Sequence, residues 1–223
     1  MSPRPGKKYH RETEIKLPVR DSQALRRRLR RLGFRRVQAR HFERNYLFDF
    51  PDQRLRKARC LLRLRFAGRQ GILTFKGVPP HSGVYKTRRE IETPVGDGPV
   101  LREMLEELGL REAFRYEKYR TIYAPHGQRK GAEGPHLFYD ETPIGDYLEL
   151  EGSEQWIDKV AQELGYSRKE YITRGYPNLY FQKCLEAGSK PGNMIFPARP
   201  DPPIKRGTPP RAGPDPDGSG APS

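Results

Sequence analysis

The chain has 223 residues, of which 43 are Lys or Arg and 28 are Asp or Glu, so its formal net charge is +15. This length favours one folded domain with a sizeable core, and the positive charge favours an anionic partner: nucleic acid, an acidic membrane surface or a phosphorylated small molecule. Only two cysteines occur, Cys60 and Cys184, which excludes a disulfide framework or a CxxC metal site and predicts two buried thiols in a reducing compartment.

The two ends of the chain differ in composition from the rest. Residues 1–8 are basic, and residues 187–223 are rich in Pro and Gly, so neither end buries enough apolar surface to offset the entropy lost on ordering. We therefore predict disordered ends around one domain at 9–186, with an apolar group at 194–196 that can dock weakly. Because the N-terminus lacks the apolar core of a secretory signal and no run of about 18 apolar residues occurs, we expect a soluble, cytoplasmic protein.

The first predicted elements are a strand and a helix. In the strand RETEIKL, Glu12, Glu14 and Lys16 lie on one face and apolar residues on the other. The helix DSQALRRRLRRLG has leucines on one face, Asp21 or Ser22 as its N-cap and a glycine at its end. Its other face is basic. We interpret this face as exposed to solvent, and the alternative is that it binds nucleic acid. The arginines of that face are Arg26, Arg27, Arg28, Arg30 and Arg31.

Charged strand faces recur along the rest of the chain. A solvated face usually mixes Thr, Ser, Gln and Lys, whereas here nearly every such position is a charge, and the charges are grouped by sign. The charged residues that alternation places together are Arg63 and Arg65 in LLRLRF, Lys76 in ILTFKG, Arg88, Glu90 and Glu92 in TRREIE, Lys118 and Arg120 in YEKYRTIY, Asp140 in LFYDETPIG, and Glu149 and Glu151 in DYLELEG.

Three later segments have residues at helical spacing, most of them apolar. Each is predicted to form a helix whose apolar residues pack against the sheet. The residues concerned are Leu101, Met104, Leu105 and Leu108 in VLREMLEELG, Trp156, Val160 and Leu164 in SEQWIDKVAQELG, and Tyr176, Leu179, Tyr180 and Lys183 in a last helix at 176–186.

The charged faces favour a sheet that closes on itself. In a barrel the acids and bases, which are evenly matched, would face one another, while the apolar faces would be covered by helices. Carboxylates from different strands suit hard divalent cations, and Arg and Lys suit phosphate oxygens. The interior therefore predicts a polyphosphate with Mg²⁺ or Mn²⁺. Since no GxxxxGK[ST] or GxGxxG motif occurs, side chains rather than a glycine loop would hold the phosphates.

The sequence resembles the CYTH superfamily, which contains class IV adenylate cyclases, thiamine triphosphatases and inorganic triphosphatases and is also called the triphosphate tunnel metalloenzymes. The ETEIK stretch at 12–16 matches its ExExK motif. The other matches follow in family order and are LRLR at 62–65, TFKG at 74–77, RREIE at 88–92, KYR at 118–120, YDETPIGDYLELEG at 139–152 and RGYPNLY at 174–180.

The resemblance implies an α+β fold, an eight-stranded antiparallel closed β-barrel with a charged interior, clad by several α-helices, whose tunnel binds a triphosphate. It implies roles for residues at the matching positions. Divalent metals would bind Glu12, Glu14, Glu149 and Glu151, with Asp140. The triphosphate would bind Lys16, Arg63, Arg65, Lys76, Arg88, Lys118 and Arg120, and Glu90 and Glu92 would be supporting acids. The residues expected to act most directly in catalysis are Glu12, Glu14, Lys16, Lys76 and Arg120.

Three positions bear on how far the resemblance extends. Gly175 stands where the family often has Ser, so a hydroxyl contact is missing there. Lys183 is a candidate for protonating the leaving group by its rough position. His41, in the segment HFERNYLFD that resembles the second strand, is interpreted as structural.

The expected activity is divalent-metal-dependent hydrolysis of a triphosphate, which could be inorganic triphosphate, thiamine triphosphate or a nucleoside triphosphate. The alternative is class IV adenylate cyclase activity, which converts ATP to cyclic AMP and pyrophosphate. A non-catalytic protein that binds a triphosphate, nucleotide or RNA is the third hypothesis. The presence of two ExE pairs, Glu12/Glu14 and Glu149/Glu151, counts against it. We expect a monomer or homodimer without a membrane partner, and nucleic acid is not the favoured ligand.

Overall fold

A computed structural model describes residues 10–68, 70–79, 83–128 and 134–197. Its eight strands are β1 (His10–Val19), β2 (Phe34–Asp49), β3 (Leu61–Ala67), β4 (Gln70–Lys76), β5 (Lys86–Val95), β6 (Arg111–Pro125), β7 (His136–Thr142) and β8 (Gly145–Glu151). Its helices are α1 (Ser22–Arg31), α2 (Arg54–Lys57), α3 (Gly98–Glu107), α4 (Glu154–Glu163) and α5 (Tyr176–Glu186), with a 3₁₀ turn at Arg168–Glu170. Within the described ranges, none of these helices has the length and apolar character needed to cross a membrane.

The strands form a closed antiparallel barrel in the order β1-β5-β4-β3-β2-β6-β7-β8. The predicted α+β fold with an eight-stranded closed barrel is therefore confirmed. Side chains directly opposite each other in an antiparallel pair lie on the same face and about 5 Å apart, so register decides which charges meet inside. Acids lie opposite bases in the pairs Lys16–Glu149, Glu43–Lys118, Lys76–Glu90 and Arg120–Asp140.

Helices α1 and α4 cover the apolar outer face of one side of the barrel. Leu29 of α1 and Ile157 of α4 are fully buried in one cluster with Ile15 and Leu148 from the strands. Asp21 caps α1, since its Oδ1 accepts hydrogen bonds from the backbone N–H groups of residues 23 and 24 at 2.8 and 2.9 Å. The helical faces predicted for these two segments are confirmed.

Helix α3 uses a narrower face than predicted. Leu105 is buried, but Met104 is 56% exposed and Leu108 is 70% exposed, so the prediction that both pack in the core is wrong. The helix lies close to the sheet at its first turn, where a Cβ added at Gly98 would come within 2.0 Å of the Phe66 ring. Contact through one edge leaves the opposite side of the helix to solvent.

Helix α5 spans the residues predicted for it and packs against one end of the barrel. Its Tyr176 and Leu179 join Phe114, Tyr116 and Tyr147, which come from β6 and β8, in a buried cluster. Aromatic side chains therefore fill this end of the interior. The wall built by Tyr116 and Tyr176 borders the charged part of the barrel.

The segment after α5 differs from the prediction that disorder begins at 187. Met194 is fully buried in the α5 cluster, and its backbone pairs with β6 through bonds to Arg115 O (3.0 Å) and from Glu117 N (2.9 Å). β7 pairs only with residues 119–123 of β6. Residues 115–117, to which the Met194 backbone bonds, are therefore left with a free strand edge on that side. Composition cannot reveal that edge. The other predicted disordered residues, 1–8 and 198–223, lie outside the described residues.

Candidate active site

The barrel encloses a cavity of about 980 Å³ that opens to solvent. It is lined by charged side chains from every strand except β7. All of the site residues predicted from the sequence line it apart from Asp140: Glu12, Glu14, Lys16, Arg63, Arg65, Lys76, Arg88, Glu90, Glu92, Lys118, Arg120, Glu149 and Glu151.

Asp140 lies behind the cavity wall, and both of its carboxylate oxygens accept hydrogen bonds. It is 0% exposed. Its Oδ1 accepts from Arg120 Nε at 2.7 Å, and its Oδ2 accepts from Lys118 Nζ at 2.8 Å, Arg120 Nη2 at 2.7 Å and the Tyr176 hydroxyl at 2.7 Å. These contacts fix the directions of two cationic side chains, Lys118 and Arg120. The expectation that Asp140 binds a metal stays a prediction.

Glu149 belongs to the same arrangement. Its Oε1 lies 3.0 Å from Lys16 Nζ, and its Oε2 accepts a hydrogen bond from Arg120. Burial alone would raise the pKa of Glu149, but Lys16 and Arg120 hold that pKa well below its usual value. We call the set Lys16, Lys118, Arg120, Asp140, Glu149 and Tyr176 the Asp140 network. Each anion in it is paired within the protein.

A second group of acids is less well compensated. Glu12, Glu14 and Glu151, which we call the Glu12 cluster, line the cavity near the β1–β8 seam, where Glu14 lies opposite Glu151. Burial and the charge of Glu14 raise the pKa of Glu12 to about 7, although Lys76 lies 2.5 Å from it. Burial and the charges of Glu12 and Glu14 raise the pKa of Glu151 to about 8. The cluster therefore carries more negative charge than its neighbours neutralise.

Lys86 and Lys76 form ion pairs with acids of this cluster, and Lys76 also pairs with Glu90. Lys86 bonds to Glu14, and Lys76 lies 2.8 Å from Glu90. Burial would raise the pKa of Glu14, yet Lys16 and Lys86 lower it below its usual value. In the part of the chain that the structure describes, Glu151 has no ion pair, which makes it the least compensated acid of the cluster.

Several buried donors around the cavity have no hydrogen-bond partner within the described residues. They are Arg63 Nε, Arg88 Nε and Asn45 Nδ2. Other atoms of the same groups are anchored, since Arg63 Nη2 donates to Thr74 Oγ1 at 3.1 Å and Arg65 Nε donates to Asn45 Oδ1 at 3.0 Å. An unpaired buried donor is costly, and an anion in the cavity would satisfy such donors.

Sequence reasoning missed five residues of this site. Two of the five could have been found from the sequence, because the alternation of HFERNYLFD places Glu43 and Asn45 on the same strand face as His41. Glu43 lies 3.5 Å from Arg65 and 3.6 Å from Lys118, and its bond with His41 raises the pKa of that histidine. The missed residues are Glu43, Asn45, Lys86, Tyr116 and Tyr176.

The structure also bears on the predictions made for Lys183, Gly175 and the two cysteines. Lys183 donates to the carbonyl of Ile144 at 2.6 Å and does not line the cavity, so its proposed role in protonating a leaving group is not supported. Gly175 lines the cavity and is the N-cap of α5 without a side-chain bond. Cys184 is buried, but Cys60 is only half-buried and lines the cavity, which corrects the prediction of two buried thiols.

No group of three or more His, Cys, Asp or Glu side chains within the described residues is arranged as a preformed metal centre. The Glu12 cluster nevertheless supplies the hard oxygen donors that Mg²⁺ and Mn²⁺ prefer. Its mutual repulsion is what a divalent cation would relieve.

The family model of the CYTH domain matches residues 10–176, which is well over half of the chain. The protein therefore belongs to the CYTH domain family. A protein of Methanocaldococcus jannaschii, provisionally named an adenylate cyclase, is 30% identical over 178 residues, covering 75% of this chain and 97% of the relative.

Solved structures share the fold at lower identity. A Pyrococcus horikoshii protein aligns with a TM-score of 0.63 at 23% identity, over 77% of this chain and 99% of its own. A Vibrio parahaemolyticus protein, provisionally named an adenylate cyclase, aligns with a TM-score of 0.63 at 19% identity, over 77% and 98%. A Hippeastrum protein, provisionally named an adenylyl cyclase and described as having a dominant triphosphatase activity, gives 0.54 at 18%, over 81% and 97%. These identities show the fold alone.

Proposed function

We propose that the protein hydrolyses a triphosphate inside the barrel in a reaction that depends on a divalent metal. The observation that carries the proposal is the pair of buried donors without partners among the described residues, Arg63 Nε and Arg88 Nε, in a cavity lined by further Lys and Arg side chains. Phosphate oxygens are multiple strong acceptors that match such donors. The candidate substrates are inorganic triphosphate, thiamine triphosphate and a nucleoside triphosphate.

The bases that line the cavity bind and orient the phosphates. Phosphoryl transfer is catalysed mainly by positioning and charge neutralisation, and the Asp140 network fixes Lys118 and Arg120 before substrate enters. Bases held in place in this way do not reorganise during the reaction. The residues proposed to hold the triphosphate are Lys16, Arg63, Arg65, Lys76, Arg88, Lys118 and Arg120.

The Glu12 cluster is the proposed metal site. Glu12, Glu14 and Glu151 fit a hard divalent cation, because their oxygens face the cavity and their repulsion is only partly offset. Bound Mg²⁺ or Mn²⁺ would neutralise phosphate charge and favour ionisation of a water. Asp140 and Glu149 are not part of the proposed ligand set, because their hydrogen bonds and ion pairs within the Asp140 network favour a role in positioning the neighbouring cations. Glu90 and Glu92 support Arg63 and Lys76 from the neighbouring strand.

In hydrolysis a water attacks the terminal phosphorus, and the bond from that phosphorus to the bridging oxygen breaks. The products are orthophosphate and a diphosphate. The bridging oxygen becomes a terminal oxygen of the diphosphate and gains negative charge, and we assign its stabilisation to Lys76 and Arg63, which line the cavity. The Hippeastrum protein supports this order of hypotheses, since its described dominant activity is a triphosphatase in spite of its cyclase name.

Adenylate cyclase activity is the second candidate, and the name of the Methanocaldococcus jannaschii relative favours it. In that reaction the ribose 3′-hydroxyl of ATP attacks the α-phosphorus and pyrophosphate leaves. The same metal-bound triphosphate serves both reactions, which differ in where the nucleophile stands.

The deciding experiment incubates the protein with Mg²⁺ or Mn²⁺ and, separately, tripolyphosphate, thiamine triphosphate and ATP, and then resolves all products by chromatography. Orthophosphate release supports the hydrolase, whereas cyclic AMP with pyrophosphate supports the cyclase. Glu12→Gln should abolish turnover. Glu141→Gln is the matched control, because Glu141 pairs with Arg40 at 2.7 Å outside the cavity. Absence of turnover with all three substrates would overturn both enzymatic proposals.

A further inference from the structure

The opening of the cavity carries arginines that neither the family motifs nor the proposed mechanism uses. Arg56, Arg59 and Arg174 line the cavity and are exposed. They come from two separate segments, one between β2 and β3 and one before α5. Arg88 of β5 lies deeper in the cavity and is half-buried. We call Arg56, Arg59 and Arg174 the mouth arginines.

The segment between β2 and β3 is held in a defined shape. Asp49, at the end of β2, accepts three backbone hydrogen bonds: from residue 50 at 2.8 Å, residue 55 at 3.0 Å and Arg56 at 2.9 Å. Gln53 and Arg59 both adopt left-handed backbone conformations, with φ of 57° and 58°, which non-glycine residues adopt at a cost. This segment is therefore built to present its side chains in a particular direction.

The mouth arginines have no ion-pair partner among the residues that the structure describes. No carboxylate of the described residues lies within ion-pair distance of any of the three; Arg174 bonds only to the amide of Gln182, and the Arg56 guanidinium lies 5.8 Å from the Phe181 ring centre. Arg88 adds a buried Nε without a partner. Burial lowers the pKa of Arg88, and the like charge of Arg59 lowers it further against the opposing effect of Glu14.

Unneutralised guanidinium groups of this kind form an anion site that continues the phosphate-binding surface outward. Arg59 and Arg88 are close enough to affect each other electrostatically, so Arg88 joins the mouth to the interior. A ligand that fills both regions must remain anionic beyond its third phosphate. The mouth arginines would repel the cationic ring of thiamine. Inorganic triphosphate held in the interior would be too short to contact them.

We propose that the mouth arginines form a subsite for a fourth phosphate, so that linear polyphosphates of four or more phosphates bind better than triphosphate. This inference rests on the proposed function, since it requires a triphosphate unit inside the barrel. Arg56 and Arg59 contact the additional phosphate from one side of the opening and Arg174 from the other. Guanidinium groups suit this role because they bind phosphate oxygens in pairs.

The test compares the dissociation constants of tripolyphosphate and tetrapolyphosphate by calorimetry without metal, so that nothing is hydrolysed. For the unmodified protein we expect tetrapolyphosphate to bind about tenfold more tightly, the value of one charge-assisted contact. Arg56→Ala with Arg59→Ala should reduce this ratio severalfold. Lys57→Ala is the matched control, because Lys57 is exposed on the same short helix and does not line the cavity, and it should keep the ratio.

The outcomes separate the two proposals. Arg65→Ala should weaken both ligands by the same factor, since Arg65 lies in the interior. If the unmodified protein binds triphosphate but the double variant keeps the full ratio, the fourth-phosphate subsite is overturned and the proposed function stands. If the unmodified protein binds neither ligand without metal and releases no orthophosphate from either with Mg²⁺, both proposals fail. If an oligonucleotide with a 5′-triphosphate binds more tightly than a polyphosphate of equal charge, the mouth arginines bind nucleic acid and the polyphosphate assignment is wrong.

Discussion

The Asp140 network and the Glu12 cluster share strands β1 and β8 of the same barrel but compensate buried charge in opposite ways. In the network, Asp140 and Glu149 each use both oxygens on cationic or hydroxyl donors. In the cluster, Glu151 has no ion pair among the residues that the structure describes, and burial and the neighbouring acids raise the pKa of Glu12 and Glu151. One group is complete without a ligand, and the other is not.

This difference separates residues that prepare a site from residues that bind at it. A buried charge is tolerated when partners satisfy it and is otherwise costly. The network therefore contributes to holding the barrel in shape and aiming Lys118 and Arg120. The cluster leaves electrostatic repulsion that a cation can relieve, so the same kind of residue serves structure in one group and binding in the other.

The largest expected effect comes from breaking the complete group. Asp140→Asn removes the charge that compensates buried Lys118 and Arg120, and we expect the free energy of unfolding to fall by about 3–5 kcal/mol. Denaturant unfolding measures it. Glu141→Gln, one residue along β7 and paired with Arg40 on the outer side, should change stability by less than about 1 kcal/mol. A loss as small as this in Asp140→Asn would show that the network does not depend on its central acid.

The second prediction concerns metal. If the Glu12 cluster binds Mn²⁺, the ion should stabilise the fold by about 2.7 kcal/mol at a hundred times its dissociation constant. Thermal unfolding with and without Mn²⁺ measures the increment, which Glu12→Gln and Glu151→Gln should lose. Asp140→Asn, less stable at the start, should keep it. The reverse pattern would restore Asp140 as the ligand and contradict the assignment of the cluster.

The sequence predicts which charged residues face the barrel interior but not which of the acids are paired and which are not. Alternation alone identified the inward face of β1, since Glu12, Glu14 and Lys16 share parity, and every other motif strand followed the same rule. Which acids are satisfied depends on register between strands that are distant in the chain, such as Lys16 opposite Glu149. A single sequence without strand pairings does not contain that information.

Two other features were hidden for local reasons. Glu43 and Asn45 lie on a strand whose other inward residues include Leu47, so the segment lacks the dense charge that marked the remaining strands. The docking of Met194 depends on β6 extending beyond its pairing with β7. In both cases the deciding contact belongs to the partner strand rather than to the residue itself.

A third prediction tests whether the arginines that line the interior bind phosphate. Arg65→Ala removes an interior guanidinium anchored by Asn45, and loss of charge-assisted contacts worth about 1.5–3 kcal/mol should raise the apparent KM for tripolyphosphate roughly tenfold to a hundredfold. Steady-state kinetics with Mg²⁺ measures it. Arg44→Ala is the control, because Arg44 lies on the outer face near Glu117, at 3.4 Å. Equal KM values in the two variants would remove Arg65 from the substrate site.

The smallest expected effect is the sharpest test of the contrast between the two groups. Glu151→Gln keeps the size of the side chain and resembles the protonated acid that a pKa of about 8 favours at neutral pH. The metal-free protein should therefore lose no more than about 0.5 kcal/mol at neutral pH, and at higher pH the variant should be more stable than the unmodified protein. Replacing a paired buried acid is destabilising, and Asp140→Asn provides that comparison under the same conditions. A loss of about 2 kcal/mol or more in Glu151→Gln would mean that Glu151 has a cationic partner in solution, and the cluster would then be complete without metal.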